Sequence, residues 1–338
     1  MQGASAHCET LTNHAVTRRS VIGGMASLAL GDVAKAQATW PERAVKFIVP
    51  LGAGSGADIG ARLIGDRLQQ LWGKPVVIEN RPGGNGLTAI NAFLTANDNH
   101  TLFYGAAATF TVHPYQMDVV PYHFVRDILP IAQATVTIAV VAVPASSPVK
   151  TMPEFVKWAR DDPGKLNAAL VPGISEITFD RFVKAEKLEI TKVPYRNIVD
   201  AVADASVGRI DFLSSAYAVV QPAVESGAIR VIAVTNSQRF PGLSAISTCD
   251  EQGVSSMSYE GLAGLFGTEL LSAELRARIG EDVVRAANDA AIKPRIEATG
   301  QMVAPGGAAV FKKSIEGQME EVRRTAEFIG LKAGRVGP

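Results

Sequence analysis

The sequence predicts an α/β fold in which parallel strands alternate with helices that cover both faces of the sheets. Three observations support this fold class. Short runs rich in Val and Ile recur along the chain, glycine-containing turns follow them, and helical apolar stripes come after the turns. The length of 338 residues fits about two domains. The 47% hydrophobic content excludes wholesale disorder.

The elements follow in a regular order. Residues 45–51 form the first predicted strand, residues 52–58 a glycine-rich turn, and residues 59–72 an amphipathic helix. Later segments carry local end signals or apolar patterns of their own. These are a capping box at Thr151–Glu154, a helix cap at Asn197 with a stop at Gly208, apolar strands at 138–143, 189–193, 210–213 and 229–234, and a helical stripe from Phe311 to Ile329.

The N-terminal segment differs from the rest of the chain. Arg18 and Arg19 precede an uncharged stretch at residues 20–30, and Ala36-Gln37-Ala38 forms a small-x-small cleavage site. This pattern predicts a signal peptide over residues 1–38, cleaved after Ala38, which leaves an exported mature protein. The paired arginines resemble a twin-arginine signal, so both export routes stay open.

Charge and residue counts exclude several function classes. Lys and Arg total 33 and Asp and Glu also total 33, so no basic surface for nucleic acid is expected. No apolar run reaches the roughly 18–20 residues that a membrane span needs. His100, His113 and His123 lack metal-ligand spacing, and Cys249 remains alone after cleavage. We expect no metal site, no catalytic residue and no cofactor.

The glycine-rich turn is the sharpest local signal for a site. Unpaired backbone N–H groups at a helix start attract carboxylate or phosphate, and glycines let such a ligand approach closely. A competing interpretation is an exported NAD(P)-dependent oxidoreductase, because Gly52-x-Gly54-x-x-Ala57 fits a dinucleotide fingerprint and Glu79 ends the next predicted strand. Pro50 and Asp58 argue against it, since the fingerprint requires a continuous strand and Asp58 would repel a pyrophosphate.

The order of several motifs resembles one known family. These motifs lie at residues 49–58, 61–62, 75–84, 193–197, 208–211, 227–235, 239–241 and 259–265. Together they resemble the solute-binding proteins of tripartite tricarboxylate transporters, the Bug family, over residues 40–331. The resemblance implies a type II periplasmic binding protein fold, with two α/β lobes, crossing hinge strands and a ligand cleft between the lobes.

The resemblance also implies a function. It predicts a non-enzymatic, monomeric protein that captures a small carboxylate and delivers it to the membrane permease subunits of a tripartite tricarboxylate-type transporter. A carboxylate sensor without a transport role is an alternative. We expect residues 39–141 with 235–338 to form the first lobe and residues 142–234 the second.

The expected ligand site combines the turn and several helix starts. We predict backbone N–H contacts to a carboxylate from the first-lobe turn, where Asp58 orients the loop or accepts from the ligand. The candidates are Gly54, Ser55, Gly56, Ala57, Asp58 and Thr109 in the first lobe, and Ser175, Tyr195, Arg196, Asn197, Ser214 and Ser215 in the second. The sequence departs from the family pattern at residues 51–56, after Ser175, and at Arg196-Asn197, so the ligand's identity stays open.

Overall fold

A computed structural model describes residues 40–337, so the predicted signal peptide lies outside the described residues. Residues from Arg43 onward form one compact unit. Its strands are β1 Val45–Val49, β2 Val76–Asn80, β3 Thr101–Ala106, β4 Val119–Val120, β5 Leu129–Thr137, β6 Ala139–Pro144, β7 Asn167–Leu170, β8 Thr191–Pro194, β9 Phe212–Ala216, β10 Ile229–Val234, β11 Gly261–Gly267, β12 Gln301–Gly307 and β13 Arg335–Val336. Its α-helices are α1 Gly56–Trp72, α2 Leu87–Thr95, α3 Ala108–Thr111, α4 His113–Gln116, α5 Phe124–Asp127, α6 Met152–Asp161, α7 Ile174–Glu186, α8 Ile198–Ser206, α9 Tyr217–Glu225, α10 Ala273–Ala287, α11 Lys293–Glu297 and α12 Ala308–Ile329.

Two large sheets organise these elements. The first has the order β12-β5-β11-β3-β1-β2, and the second has the order β10-β6-β9-β7-β8. We call each sheet with the helices packed on it a lobe, the first and the second respectively. Strands β4 and β13 form a small separate pair. No helix within residues 40–337 is both long and apolar enough to cross a bilayer.

Each sheet is mixed, whereas the sequence pattern predicted parallel sheets. Strand β1 is parallel to β2 and β3, and β7 is parallel to β8 and β9. Helices connect these strands, as parallel pairing requires. The remaining neighbours are antiparallel, including β11 with β5 and β6 with β10. The chain passes directly from β5 in the first sheet to β6 in the second. Strands and helices therefore do not alternate at this point.

Local end signals predicted several element boundaries correctly. Thr151 caps α6 through the Glu154 N–H at 3.3 Å, and Asn197 caps α8 through the Val199 N–H at 3.1 Å. Strand β10 has the bounds predicted from the sequence, residues 229–234. The first strand ends at Val49, two residues earlier than predicted. Pro50 follows immediately, and its missing N–H and fixed φ explain the early end.

Alternate side chains of β6 pack into hydrophobic clusters on the two faces of the second sheet. Val141 and Val143 pack into a cluster with Phe155 and Phe212. Val140 and Ala142 belong to the opposite cluster, which contains Leu213, Val220 and Phe240. Successive strand residues point to opposite faces, so a helix layer on each side explains the uninterrupted apolar sequence of β6.

A hydrogen-bonded crossing joins the two sheets around Asn236. Its side-chain oxygen accepts from the Ala139 N–H at 3.1 Å, and its amide donates to the Thr137 carbonyl at 3.1 Å. The same amide donates to Glu260 Oε2 at 3.1 Å. Asn236 is fully buried. These bonds tie three segments that run between the lobes, in the manner of a hinge.

Candidate functional site

The turn after β1 is organised by the buried carboxylate of Asp58. Gly54 donates its N–H to Asp58 Oδ2 at 2.9 Å, and Asn80 donates to Oδ1 at 2.9 Å. Arg62 contacts both oxygens, with Nε at 3.1 Å from Oδ2 and Nη2 at 2.9 Å from Oδ1. Asp58 is only 2% exposed. Donors of the protein therefore occupy both of its oxygens. This arrangement fits a role in orienting the loop better than a role in accepting a hydrogen bond from the ligand.

These contacts set the ionisation of Asp58. Burial by itself raises the pKa of this carboxyl, but the hydrogen bonds from Arg62, Gly54 and Asn80 and the Arg62 charge outweigh it. The pKa of Asp58 consequently lies below its ordinary value. At neutral pH the loop therefore carries a charged carboxylate directly at the start of α1.

The turn leaves two unused backbone donors, fewer than the sequence suggested. The N–H of Gly54 binds Asp58, and the N–H of Ser55 binds the Gly52 carbonyl at 3.2 Å. Ser55 caps α1, because its side chain accepts from the Asp58 N–H at 3.3 Å. Within residues 40–337, Gly56 and Ala57 have no acceptor for their N–H groups. Both groups are at the first turn of α1, where the helix dipole favours an anion.

The start of α1 is also held from across the sheet. Gln301 at the start of β12 donates to the Gly56 carbonyl at 2.5 Å, and Thr135 on β5 donates to Gln301 Oε1 at 2.7 Å. Gln301 is 1% exposed. Sequence analysis did not identify Gln301 or Asn80, because their contacts join residues that are distant along the chain.

The segments that follow β1, β2 and β3 come together around Gly86 and Thr109. Thr109 is half-buried in α3. A Cβ built on Gly86 would lie 2.6 Å from Thr109 Cγ2 and 3.8 Å from Pro50 Cβ, and Gly86 has a φ of +91°. The loop after β2 therefore packs closely on Thr109 and on the loop after β1, at one edge of the first sheet.

In the second lobe, Ser175 is in the first turn of α7, as predicted. The helix begins at Ile174, and Gly173 precedes it. Within residues 40–337, the N–H groups of Ile174, Ser175 and Glu176 have no acceptor. The first turn of α7 thus matches the first turn of α1 in offering free backbone donors.

The three residues after β8 differ in their contacts. The Tyr195 hydroxyl donates to Asp204 Oδ2 at 2.7 Å, and burial, followed by that contact, raises the pKa of Tyr195 to about 12. Asn197 uses its side-chain oxygen to cap α8. Arg196 is exposed, and among the described residues its guanidinium has no hydrogen-bond or ion-pair partner. Of these three side chains, Arg196 is therefore the one whose polar groups are all available to a ligand.

Ser214 and Ser215 lie inside β9 rather than after it. The sequence predicted that this strand ends at residue 213, but it runs from Phe212 to Ala216. Both serines are buried, and Val141 and Val140 on β6 pair with them. The strand extends past residue 213 because β6 pairs with it as far as Ala216.

A cavity of about 560 Å³ opens between residues of the two lobes. Gly84, Asn85, Tyr115 and Gln116 line its first-lobe side, and Pro172, Glu176 and Asp180 line its second-lobe side. Gln116 reaches across by donating to the Gly173 carbonyl at 3.4 Å, and Asn85 donates to Gln116 Oε1 at 2.8 Å. None of these lining residues was predicted as a site residue. Glu176 is adjacent to one, because it directly follows Ser175.

The observed arrangement defines a class of protein. Two mixed α/β lobes joined by crossing strands, with free helix N-termini in each lobe and a cavity between them, form the architecture of a type II periplasmic binding protein. Among residues 40–337, no three His, Cys, Asp or Glu side chains are grouped as metal ligands.

Comparison with known proteins gives the family. A family model described as the tripartite tricarboxylate transporter family receptor matches residues 60–326. The UPF0065 protein in the tcbD-tcbE intergenic region of Pseudomonas sp. (strain P51) is 29% identical over 304 residues, covering 86% of this chain and 90% of that protein. BugT of Bordetella pertussis is 26% identical over 243 residues, covering 70% of this chain and 74% of BugT. The chain belongs to the tripartite tricarboxylate transporter receptor family, which confirms the resemblance found in its motifs.

Solved structures confirm the predicted fold class. R. palustris Rpa4515 with adipate superposes with a TM-score of 0.76 and 24% identity, covering 87% of this chain and 99% of that one. MatC from Rhodopseudomonas palustris with bound malate gives a TM-score of 0.72 and 23% identity, covering 86% of this chain and 100% of that one. At these identities the likeness establishes the architecture.

Proposed function

We propose that this protein is an exported, monomeric solute-binding protein that captures a small carboxylate between its lobes without catalysing a reaction. It delivers this ligand to the membrane permease of a tripartite tricarboxylate-type transporter. Membership in the receptor family is the observation that supports this function most strongly. The adipate and malate of the two solved structures are dicarboxylates, which supports the ligand class.

The proposed site uses both helix starts. Gly56 and Ala57 donate N–H groups from the first lobe, and Ser175 does so from the second. Arg196 adds a planar guanidinium that can take a carboxylate bidentately. Gly54, Ser55, Asp58 and Asn197 shape the loops around the ligand. We give Tyr195, Ser214 and Ser215 supporting roles because they are buried or bonded within the second lobe, and Thr109 shapes the first-lobe wall.

We propose the lobe boundaries expected from the sequence, 39–141 with 235–338 and 142–234. The pairing of β7 to β9 in the second sheet and of β1 to β3 in the first supports this division. However, β6 starts in the second sheet at Ala139, and Phe240 and Met257 pack in second-lobe clusters, so the second lobe extends beyond both expected boundaries. We also propose cleavage after Ala38 and a periplasmic location for the mature chain.

The dinucleotide-binding alternative has less support. A pyrophosphate at the start of α1 would meet the Asp58 carboxylate, whose lowered pKa keeps it charged. An ionised carboxylate only accepts hydrogen bonds, so Asp58 has no donor to offer to a phosphate. The sensor alternative uses the same ligand site and differs only in the membrane partner.

A thermal-shift screen on purified residues 39–338 tests the proposal. Ligands that bind only the folded state raise the melting temperature with concentration. The panel contains succinate, adipate, malate, citrate, glutamate, benzoate, NAD⁺ and NADH. The proposal predicts that one or more carboxylates raise the melting temperature while NAD⁺ and NADH do not. Stabilisation by NAD⁺ or NADH alone would replace it with the oxidoreductase alternative.

A further inference from the structure

A histidine outside the cavity lining is completely buried in the first lobe. His113 is the first residue of α4 and has no exposed surface. Its Nε2 lies 2.9 Å from the Asn85 carbonyl oxygen, and its Nδ1 lies 2.6 Å from the Tyr122 hydroxyl oxygen. Among residues 40–337 no carboxylate pairs with this imidazole. Both ring nitrogens therefore have neutral partners of the protein.

These two partners fix the tautomer of His113. A carbonyl oxygen only accepts hydrogen bonds, so Nε2 carries the proton that points at Asn85. Burial lowers the pKa of His113 more than the Asn85 carbonyl raises it, so the ring is neutral at pH 7. Nδ1 is then unprotonated and accepts from the Tyr122 hydroxyl. Burial raises the pKa of Tyr122, so that hydroxyl keeps the proton it donates.

The same helical turn holds Asn85 by a second contact. Gln116, three residues after His113, accepts from the Asn85 side-chain amide at 2.8 Å. Asn85 has a φ of +53°, a left-handed conformation that costs energy in a residue with a side chain. One turn of α4 thus binds both the carbonyl and the side chain of Asn85, which explains how this conformation is maintained.

The hydrogen bonds continue from this turn into the second lobe. The Gln116 amide donates to the Gly173 carbonyl at 3.4 Å, and Gly173 immediately precedes α7. Asn85 and Gln116 line one side of the cavity, and Glu176 in the first turn of α7 lines the other. A continuous set of hydrogen bonds therefore connects the buried His113 with the helix start whose free N–H groups belong to the proposed ligand site.

We infer that His113 is a positioning residue of the ligand site: its Nε2–H fixes Asn85, and the Asn85–Gln116 pair then holds the first-lobe wall against the start of α7. Where it concerns affinity, the inference rests on the proposed function. His113 touches no ligand in this account, because it lies outside the cavity lining. Its replacement should loosen the loop after β2 and lower affinity through Asn85.

Two amide replacements separate the Nε2–H bond from the packing of the ring. Glutamine can place an amide N–H at the position of Nε2, whereas asparagine reaches only to the position of Nδ1. On residues 39–338, His113→Asn should weaken the binding of malate or adipate about tenfold by titration calorimetry, and His113→Gln should keep affinity within about threefold. Without ligand, His113→Asn should also speed hydrogen exchange in peptides that cover residues 84–87, and His113→Gln should not.

A double-variant cycle tests the route through Asn85. Asn85→Gly removes the side chain without strain at this φ, so adding His113→Asn to it should lower affinity by less than about threefold further. Fully additive losses would contradict this route. His123→Asn is the control, because it makes the same change at an exposed histidine that caps α5. It should change neither affinity nor exchange.

Equal losses of affinity in His113→Gln and His113→Asn would assign His113 to packing alone and overturn the inference, as would unchanged exchange in folded His113→Asn. Nitrogen-15 NMR of the unmodified protein needs no folded variant of His113. It should show the proton on Nε2 only, and a protonated Nδ1 at pH 7 overturns the inference. If no carboxylate of the thermal-shift panel binds, the proposed function fails, while the exchange and NMR results still decide whether His113 fixes the loop.

Discussion

Arg62 binds both carboxylate oxygens of Asp58, one turn earlier on α1, at 3.1 and 2.9 Å. This pair closes the loop after β1, because Asp58 also accepts the Gly54 N–H. The loop is therefore shaped before any ligand arrives. A preorganised site loses less conformational entropy on binding, which favours affinity.

Replacing Asp58 should weaken both the loop and the fold. Asp58→Asn removes the charge that Arg62 and Gly54 contact, so we expect a loss of about 2 kcal/mol in the free energy of unfolding, measured by urea denaturation. Asp66→Asn, an exposed acid on the same helix, is the control and should change it by about 0.5 kcal/mol or less. Equal effects of the two substitutions would contradict the role assigned to Asp58.

Acid should destabilise the protein partly through the same carboxyl. The pKa of Asp58 is lowered in the folded state, so its stabilising contribution is complete above the unfolded-state value of about 3.9 and disappears as the pH falls through the folded value. Urea midpoints between about pH 5 and pH 2.5 measure this. Asp58→Asn should flatten the decline relative to the unmodified chain. An identical decline in both proteins would show that other carboxyls account for it.

Gly86 should tolerate no side chain while Thr109 keeps its γ-methyl group. Gly86→Ala adds strain at a φ of +91° and a contact at 2.6 Å, so we expect a loss of more than about 2 kcal/mol in unfolding free energy. Gly73→Ala has a φ of +64° and no neighbour within 4 Å, and it should cost about 1 kcal/mol. Thr109→Ser removes the clashing methyl group. It should recover part of the excess loss in the double variant, and no recovery would argue against this contact.

Arg181 should contribute more to stability than an ordinary surface arginine. It lies on α7, is 17% exposed, and binds Glu321 at 3.0 Å, Thr325 at 3.1 Å and the Ser256 carbonyl at 2.8 Å. Arg181→Ala leaves the carbonyl without this donor, so we expect a loss of about 2 kcal/mol in unfolding free energy. Arg160→Ala removes a more exposed pair and should cost about 0.5 kcal/mol or less. Similar losses in the two variants would contradict this prediction.

Arg196 tests the second-lobe part of the site. Its side chain is exposed and unpaired among the described residues, so Arg196→Ala should leave the melting temperature of the ligand-free protein unchanged. Affinity for the tightest carboxylate should fall about tenfold, as calorimetry would measure. Arg209→Ala removes an exposed arginine that pairs with Asp204, and it should leave affinity unchanged. If Arg196→Ala retains full affinity, Arg196 is a surface charge.

Local sequence signals predicted the parts of this molecule that depend on neighbouring residues. The Thr151 and Asn197 caps were found because capping joins residues two or three positions apart. The family motifs added the two-lobe architecture, which local patterns do not contain. The antiparallel pairs, such as β11 with β5 and β6 with β10, were missed because each joins strands that are distant along the chain.

Long-range contacts explain what the sequence could not provide at the site. Tyr195 and Gly54 were expected to face a ligand, but Asp204 and Asp58 occupy their donors. Gln301 reaches Gly56 from 245 residues away. Such partners follow only from the assembled sheets. The free N–H groups at the helix starts could be predicted, because they follow from helix geometry alone.

Backbone hydrogen exchange with and without a bound carboxylate tests capture between the lobes most directly. The measurement uses residues 39–338 and follows peptides that cover the α1 start at Gly56 and Ala57 and the α7 start at Ser175. Ligand bonds to free N–H groups slow their exchange, so the account predicts protection at both helix starts when the tightest-binding carboxylate of the screen is present. Protection at neither start, or in one lobe only, would contradict it.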